Sequence, residues 1–283
     1  MKNQWANAAR SVIPRPLRPP LRWTYLIIKE LYRRLADPLT PPDDGFYSTM
    51  AGDYQKIGND FRKLLIRIGN LTPDDAVLDV GCGNGRMAVP LTKYLSPRGR
   101  YEGFDVIKSG VDWCSANISP RFPAFQFRWV DVKNGNYNPN GQTDPAQFRF
   151  PYADESFDFV FLSSVFTHML PEDITRYLAE ISRVLKKGGR VFATFFIVSS
   201  EQSGVQSIGA DPLVLRLQPA GYFARDPEDP AAAIGFDEAR VRDWFYKTGF
   251  RLIEPLHFGV WSGRTKGVSY QDIIVAVKQG PKP

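Results

Sequence analysis

One glycine-rich turn constrains the fold of this chain more than any other stretch. Residues 77–86 read VLDVGCGNGR, an apolar strand that ends on an acid and continues into three glycines at alternate positions. Glycine is needed because such a turn visits positive φ, and because a side chain would keep a ligand away from the backbone N–H groups at the start of the next helix. The dinucleotide fingerprint G-x-G-x-x-G would put its last small residue at Arg86, so the spacing argues against NAD.

Predicted strands and helices alternate on both sides of this turn. Lys186 to Gly189 place bases and glycines where a helix is expected to end before the fifth strand. Residues 199–235 are predicted to be irregular, and residues 251–260 and 270–278 to form a closing, hairpin-like pair. Such alternation indicates a parallel sheet covered on both faces. The predicted strands are 76–80, 101–106, 125–130, 157–162 and 190–196, and the predicted helices are 53–69, 86–95, 109–117, 173–185 and 237–247.

Three successive predicted strands end on aspartates, at the edge where open α/β sheets bind ligands. These are Asp79, Asp105 and Asp131. Each aspartate taken alone could be a turn former. Together with the glycine turn, the FDFV of residues 157–160 and the VLKKGGR of residues 184–190, they resemble the class I S-adenosylmethionine-dependent methyltransferases. The resemblance covers roughly residues 45–278.

The resemblance implies a doubly wound, Rossmann-like α/β fold, with a mostly parallel seven-stranded sheet and an antiparallel C-terminal strand. It also implies S-adenosyl-L-methionine as the cofactor. Asp105 would accept both ribose hydroxyls, and Asp131 would accept the exocyclic amine of adenine while the Val132 N–H reaches a ring nitrogen. Asp79 would meet the ammonium group of the methionine part or support the glycine turn. The remaining predicted cofactor contacts are Gly81, Gly83, Gly85, Val106 and Ser163.

His168 is the predicted catalytic residue, because it follows the fourth strand at the ligand edge in the sequence SVFTHM of residues 164–169. Methyl transfer from a sulfonium is an in-line displacement, so the enzyme mainly aligns the acceptor and removes the proton of a hydroxyl. Several families of this fold use a histidine here as the base, and the segment is similar to theirs. The alternative is that His168 caps or packs the start of the following helix.

The expected reaction is O-methylation of a hydroxyl on a small molecule, a sugar or a lipid-linked glycan. N- or C-methylation of a small molecule, and a non-catalytic membrane-associated cofactor-binding protein, are the alternatives. Ser163 and Ser164 stand where enzymes that methylate nucleic-acid bases carry an Asn/Asp-Pro-Pro-aromatic signature, which argues against a nucleic-acid substrate. Asp158 and Asp173 do not obviously converge beside an acceptor, so no metal is expected.

Two insertions at the ligand edge, residues 133–151 and 199–235, are expected to shape the acceptor pocket. A lid or a dimer contact is the other interpretation of these long loops. In the closing connection, Trp261 and Arg264 would give the substrate an aromatic wall and a cation, or would belong to an ordinary surface turn.

The net charge of +6 is concentrated at the N-terminus, where residues 1–36 contain eight bases and one acid. Residues 21–36 have the pattern of a basic amphipathic helix, which could lie on an anionic membrane surface, pack on the body of the protein or pack on a second subunit. Just before the helix predicted over residues 53–69, Phe46 and Tyr47 either touch the cofactor site or pack on the core as loop aromatics. The predicted domains are this arm, residues 1–42, and a methyltransferase domain, residues 43–283.

The cysteine content and the hydropathy pattern give an expected location. The chain has two cysteines and no disulfide framework, and no run of about 18 apolar residues interrupts it. A cytoplasmic protein, peripheral at the membrane if the arm binds lipid, is therefore expected.

Overall fold

The computed structural model describes Thr24 and residues 39–41, 53–202, 204–210 and 213–279. The chain divides into two units, Met1–Gly52 and Asp53–Pro283. The predicted arm helix, apart from Thr24, lies outside the described residues, as do Phe46, Tyr47 and the predicted boundary at residue 42. Those expectations therefore stay predictions.

Helices and strands alternate through most of the second unit. In chain order the elements are α1 (Tyr54–Arg67), β1 (Ala76–Val80), α2 (Ala88–Leu91), β2 (Arg100–Asp105), α3 (Lys108–Asn117), β3 (Phe125–Trp129), β4 (Phe157–Leu162), α4 (Pro171–Val184), β5 (Leu185–Phe195), β6 (Ile197–Val198), β7 (Ser207–Ala210), β8 (Leu213–Leu217), β9 (Phe223–Ala224), β10 (Ile234–Asp237), α5 (Glu238–Lys247), β11 (Phe250–Leu252) and β12 (Asp272–Lys278).

Seven of these strands form the main sheet, in the order β11-β12-β5-β4-β1-β2-β3. Strands β1 to β5 run parallel to one another, and β12 runs antiparallel between β5 and β11. This architecture confirms the predicted doubly wound α/β fold with an antiparallel C-terminal strand. Strand order reverses between β1 and β4, so the crevice beyond their carboxyl ends is where this kind of sheet binds ligands.

Alternate side chains of β1 face opposite sides of the sheet. Leu78 and Val80 belong to the large core cluster, which also includes Ile174 and Leu178 of α4. Asp79 points to the other side, where its carboxylate accepts a hydrogen bond from the Tyr101 hydroxyl of β2. One face of β1 is therefore anchored by apolar packing, while the other carries a buried acid to the ligand edge.

A second sheet lies in the stretch that we predicted to be irregular, and that prediction is wrong. Its order is β6-β10-β9-β8-β7, and its strands are two to five residues long. Strands this short show almost no period-two pattern, so the sequence gives little sign of them. The sheet packs around its own core cluster, whose members are Phe196, Val198, Ile208, Leu213, Leu215, Phe223, Ala233 and Trp261.

Asp272, the first residue of β12, joins the two sheets. It is fully buried, and it accepts hydrogen bonds from the N–H groups of Ile197 and Gly259 at 2.6 and 2.7 Å and from Trp261 Nε1 at 2.6 Å. Trp261 is 1% exposed, so it forms neither the expected aromatic wall for a substrate nor part of a surface turn. Arg264 stacks on the Phe258 ring at 4.4 Å.

One predicted helix and one predicted helix cap are also wrong. The helix after the glycine turn is a single turn, α2, and not residues 86–95. Helix α4 ends at Val184 because Leu185 is already extended and pairs with Phe157 of β4. The pairing resumes at Arg190, so the lysines and glycines between form an irregularity in β5 and not a helix cap. Among the described residues, no helix is both long enough and apolar enough to cross a bilayer.

Candidate active site

The glycine turn has the backbone conformation that its sequence predicts. Gly81, Gly83 and Gly85 have φ values of 85°, 53° and 76°. The N–H groups of Gly81 and Cys82 donate to the Phe104 carbonyl at 2.9 and 3.1 Å, which holds the turn against the end of β2. A Cβ built on Gly83 would meet no heavy atom within 4 Å. The turn therefore leaves open space at Gly83, where a ligand can approach the backbone.

Asp105 connects this open glycine to the end of β2. Its two carboxylate oxygens accept the N–H groups of Gly83 at 2.7 Å and Ile107 at 2.8 Å. The side chain is 8% exposed, and burial raises its pKa although these backbone hydrogen bonds oppose the shift. A carboxylate oxygen has two lone pairs, so each can still accept a ligand hydroxyl. Val106, the next predicted contact, accepts Trp129 Nε1–H at its carbonyl.

Asp79 is buried more deeply than Asp105. It is 1% exposed, and its hydrogen-bond partner is the Tyr101 hydroxyl at 2.6 Å. Burial raises the pKa of Asp79 to about 8; the Tyr101 hydrogen bond works against this shift, and the charge of Asp105 adds to it. Within the described part of the chain, no lysine or arginine pairs with Asp79. Asp79 is therefore a neutral carboxyl at pH 7, and a cation that binds here would favour release of its proton.

Asp131 and Val132 lie where β3 leaves the sheet, but their surroundings come from the first insertion. The Asn138 amide donates to Asp131 Oδ1 at 3.0 Å and to the Val132 carbonyl at 3.1 Å. Thr143 closes the loop, because its N–H donates to the Asp131 carbonyl at 2.9 Å. The insertion therefore folds back onto the predicted adenine side of the site, a feature that the sequence analysis missed.

The segment after β4 lies against the glycine turn. Val80 of β1 is opposite Leu162 of β4, so Gly81 and Ser163 leave the two strands side by side. A Cβ on Gly81 would lie 2.5 Å from Val165 Cγ2, and the Val165 carbonyl accepts the His168 N–H at 2.9 Å. Packing of this short segment thus brings His168 to the same edge as the glycines.

The His168 ring is held by both insertions. Its Nδ1 lies 2.8 Å from the Ala231 carbonyl in the second insertion, and the ring of Tyr137 in the first lies 5.9 Å away at 90°. A carbonyl can only accept, so Nδ1 carries the proton and the neutral ring keeps its lone pair on Nε2. Burial lowers the pKa of His168, although the Ala231 bond and the charge of Asp229 oppose the shift. The ring is therefore neutral at pH 7.

His168 does not cap the helix that follows it. Helix α4 begins at Pro171, its N-cap is Leu170, and no side chain makes a capping hydrogen bond. The partners of His168 come instead from elements 31 and 63 residues away in the chain. Ala231 could not be found from the sequence, because its contribution is a main-chain carbonyl that every residue has.

These residues fit the expected cofactor. Gly83 gives open backbone for a close approach, Asp105 gives acceptors for paired hydroxyls, and Asp79 gives an uncompensated acid for a cation. Helix α1 adds to this side, because Tyr54 donates its hydroxyl to the Asn84 carbonyl at 3.0 Å. Among the described residues, no cluster of three or more His, Cys, Asp or Glu side chains is arranged to hold a metal ion.

Comparison with known proteins identifies the central part of the chain. Residues 78–193 match the family described as "Methyltransferase domain". A phthiotriol/phenolphthiotriol dimycocerosates methyltransferase of Mycobacterium ulcerans is 34% identical over 125 residues, 44% of this chain and 39% of that protein. A demethylmenaquinone methyltransferase of Halalkalibacterium halodurans is 28% identical over 131 residues, 46% of this chain and 47% of that protein. The chain therefore spans less than half the length of these curated relatives.

A solved structure matches over a longer part of the chain. The 1,6-didemethyltoxoflavin-N1-methyltransferase of Burkholderia thailandensis, with 1,6-didemethyltoxoflavin and S-adenosylhomocysteine bound, has a TM-score of 0.51 and 15% sequence identity. The match covers 92% of this chain and 91% of that one. At this identity the likeness concerns the fold, which agrees with the strand order of the main sheet.

Proposed function

Residues 78–193 form a class I S-adenosylmethionine-dependent methyltransferase domain, and on this premise we propose that the protein methylates a hydroxyl of a small, lipid-like acceptor, with His168 as the general base. The observation that carries the proposal is the 2.8 Å contact between His168 Nδ1 and the Ala231 carbonyl. It leaves Nε2 as the ring's proton acceptor. The names of the two curated relatives, a lipid and a quinone methyltransferase, support a lipid-like acceptor.

The chain's own residues have separate tasks in this proposal. S-adenosylmethionine, when bound, supplies a methyl group on a positively charged sulfur. Asp79 and Asp105 would hold its cationic and ribose parts, and Gly81, Gly83 and Gly85 would let it lie against the backbone. Val106, Asp131, Val132 and Ser163 would complete the binding site. His168 Nε2 would take the acceptor's hydroxyl proton, while the Ala231 carbonyl keeps the opposite nitrogen protonated.

The neutral ring suits this task. A base must be unprotonated when the acceptor arrives, and the lowered pKa of His168 keeps it so at pH 7. Both insertions contact the ring, the first through Tyr137 and the second through the Ala231 carbonyl. We therefore assign the acceptor pocket to the space that residues 133–151 and 199–235 border.

The first experiment separates cofactor binding from catalysis. We expect His168→Gln to bind S-adenosylhomocysteine in calorimetry as the parent does, and to lose methyl transfer by about 100-fold or more in assays with isotopically labelled cofactor and a lipid extract. His257→Gln is the matched control, because His257 pairs with Ile273 on the side of β12 opposite β5, away from the glycine turn and the segment that follows β4. Full activity of His168→Gln would refute the base assignment and favour N- or C-methylation. Cofactor binding without labelling of any extract would favour a non-catalytic role.

We also propose that the basic arm brings the enzyme to an anionic membrane, where a lipid-like acceptor resides. Each basic residue near such a surface contributes about 1 kcal/mol. In the full-length protein, Arg33→Glu combined with Arg34→Glu should lower flotation with phosphatidylglycerol vesicles and leave cofactor binding unchanged. Equal flotation of both proteins, or a shift in oligomeric state by light scattering, would instead favour packing of the arm on the body or on a second copy.

A further inference from the structure

Tyr137 stands out because it is the first insertion's contact with the proposed base. Its ring lies edge-on to the His168 ring, with centroids 5.9 Å apart and planes at 90°. Such T-shaped pairs are favourable and define the orientation of both rings. Tyr137 is 39% exposed, so it borders solvent and not the core. An aromatic side chain in this place limits how the imidazole can turn.

The tip of the loop holds Tyr137 rigidly. The N–H groups of Asn134 and Asn138 each donate to the other's carbonyl at 3.0 Å. The Asn134 side-chain oxygen accepts the N–H groups of Asn136 at 3.1 Å and Tyr137 at 3.0 Å. These bonds make residues 134–138 a closed turn with Tyr137 near its tip.

The same turn is tied to the predicted adenine side of the site. Asn138, the last residue of the turn, donates its amide to Asp131 Oδ1 at 3.0 Å. This carboxylate is the group to which the exocyclic amine of adenine would donate. The Asn138 amide is an N–H donor of the same kind, and it already occupies one of the two carboxylate oxygens. Tyr137 is also linked electrostatically to the cofactor site. Burial raises the pKa of Tyr137, and the charge of Asp105 adds a smaller contribution to this rise.

We propose that Tyr137 is a positioning residue for His168, and that the Asn138–Asp131 hydrogen bond makes this positioning depend on cofactor occupancy. A ligand amine that takes the place of the Asn138 amide on Asp131 Oδ1 breaks this hydrogen bond. Loss of the bond releases the closed turn from Asp131 and shifts the Tyr137 ring that lies against His168. The inference rests on the proposed function, since it concerns the acceptor side of the same site.

The test observes His168 directly and does not require turnover. The chain has two histidines, so ¹⁵N-labelled imidazoles give two sets of signals, which His168→Gln assigns. In Tyr137→Ala the pKa of His168 should rise toward 6.5, the ordinary value, because the ring loses part of its burial. Tyr137→Phe should restore the parent value. The groups that face His168 in this titration are Tyr137, the Ala231 carbonyl and Asp229.

The link to the cofactor is tested with S-adenosylhomocysteine as the probe. Saturation should shift the His168 signals in the parent, and the shift should disappear in Asn138→Ala. Cofactor affinity is measured for both proteins, so that the two sets of signals are compared at saturation. In turnover, Tyr137→Ala should lower kcat by roughly tenfold to a hundredfold with a smaller change in KM, with rescue by Tyr137→Phe. Tyr246→Ala, at a tyrosine that is 66% exposed on α5, is the matched control.

The outcomes separate this inference from the proposed function. Unchanged His168 signals in Tyr137→Ala would overturn the positioning role, whatever the activity. A cofactor-induced shift that persists in Asn138→Ala would overturn the link through Asp131. If His168→Gln stays fully active, the base assignment fails, but the imidazole signals still decide whether Tyr137 positions the ring.

Discussion

The buried carboxyl of Asp79 should make the stability of this protein fall as the pH rises through neutrality. Asp79 is 1% exposed and bonded to the Tyr101 hydroxyl, and burial raises its pKa to about 8. In the unfolded chain an aspartate has a pKa of about 3.9. Between these two values the folded protein keeps a proton that the unfolded chain has released.

The sign and the size follow from that difference. Below about pH 3.9 Asp79 is protonated in both the folded and the unfolded state, and above about pH 8 it is ionised in both. In these two ranges Asp79 therefore does not make the free energy of unfolding depend on pH. In between, the folded state binds one more proton, and the free energy of unfolding falls by about 1.4 kcal/mol per pH unit. From pH 6 to pH 7.5 the loss is about 2 kcal/mol.

The perturbation that isolates this effect is Asp79→Asn, which cannot titrate and can still accept the Tyr101 hydroxyl. Urea unfolding followed by circular dichroism, at constant ionic strength, gives the free energy of unfolding of both proteins at each pH. Other titrating groups are present in both proteins and cancel in the difference. The variant should therefore gain about 2 kcal/mol on the parent between pH 6 and pH 7.5.

Asp74→Asn is the matched control, because Asp74 is exposed and its hydrogen bonds with Ser96 and Arg98 lower its pKa. Asp74 is ionised in both the folded and the unfolded state between pH 6 and pH 7.5. The difference in free energy of unfolding between Asp74→Asn and the parent should therefore not change with pH. A flat difference for Asp79→Asn as well would mean that Asp79 is ionised in the folded protein, and the reasoning from burial would be refuted. If it holds, binding of a cationic cofactor at pH 7 should release up to one proton, which calorimetry in two buffers of different ionisation enthalpy measures.

Two further substitutions test the turn and the joint between the sheets. Gly83→Ala forces a side chain into φ 53°, at a cost of about 1–2 kcal/mol, and fills open space. Cofactor affinity measured by calorimetry should therefore fall about tenfold or more, while the fold survives. Unchanged affinity would mean that the ligand does not approach Gly83. Asp272→Ala leaves three buried donors without an acceptor, at a cost of about 1–3 kcal/mol each. The midpoint of urea unfolding should therefore fall steeply. A small change would show that water replaces the carboxylate.

The shared edge of the glycine turn and the strand-end acids could be predicted, because the signals for it are local. Gly81, Gly83 and Gly85 stand at alternate positions directly after a strand, and parallel strands bring Asp79 and Asp105 to one edge. Each residue's place follows from the end of its own strand. Short-range pattern and sheet geometry together therefore gave the fold and the predicted positions.

The surroundings of His168 could not be predicted, because their contacts join distant and irregular segments. Tyr137 and Ala231 meet at His168 across 31 and 63 residues, and neither lies in a strand of the main sheet. We expected Trp261 to form a substrate wall or part of a surface turn, because its partner, Asp272, lies eleven residues further along in another element. Strands of two residues, such as β6 and β9, have no periodicity for a pattern to detect.

The hydrogen bond from His168 to a main-chain carbonyl bears on how such an enzyme could change its acceptor. Any residue at position 231 offers the same carbonyl oxygen, so the side chains of the second insertion are free of this duty as long as its backbone keeps its course. Selection, in nature or in a library randomised along residues 226–232, could then remodel the acceptor's surroundings while the proton stays on the same nitrogen. The position of the proton on the His168 ring would then depend on the backbone of the second insertion, while the side chains that determine acceptor specificity could change.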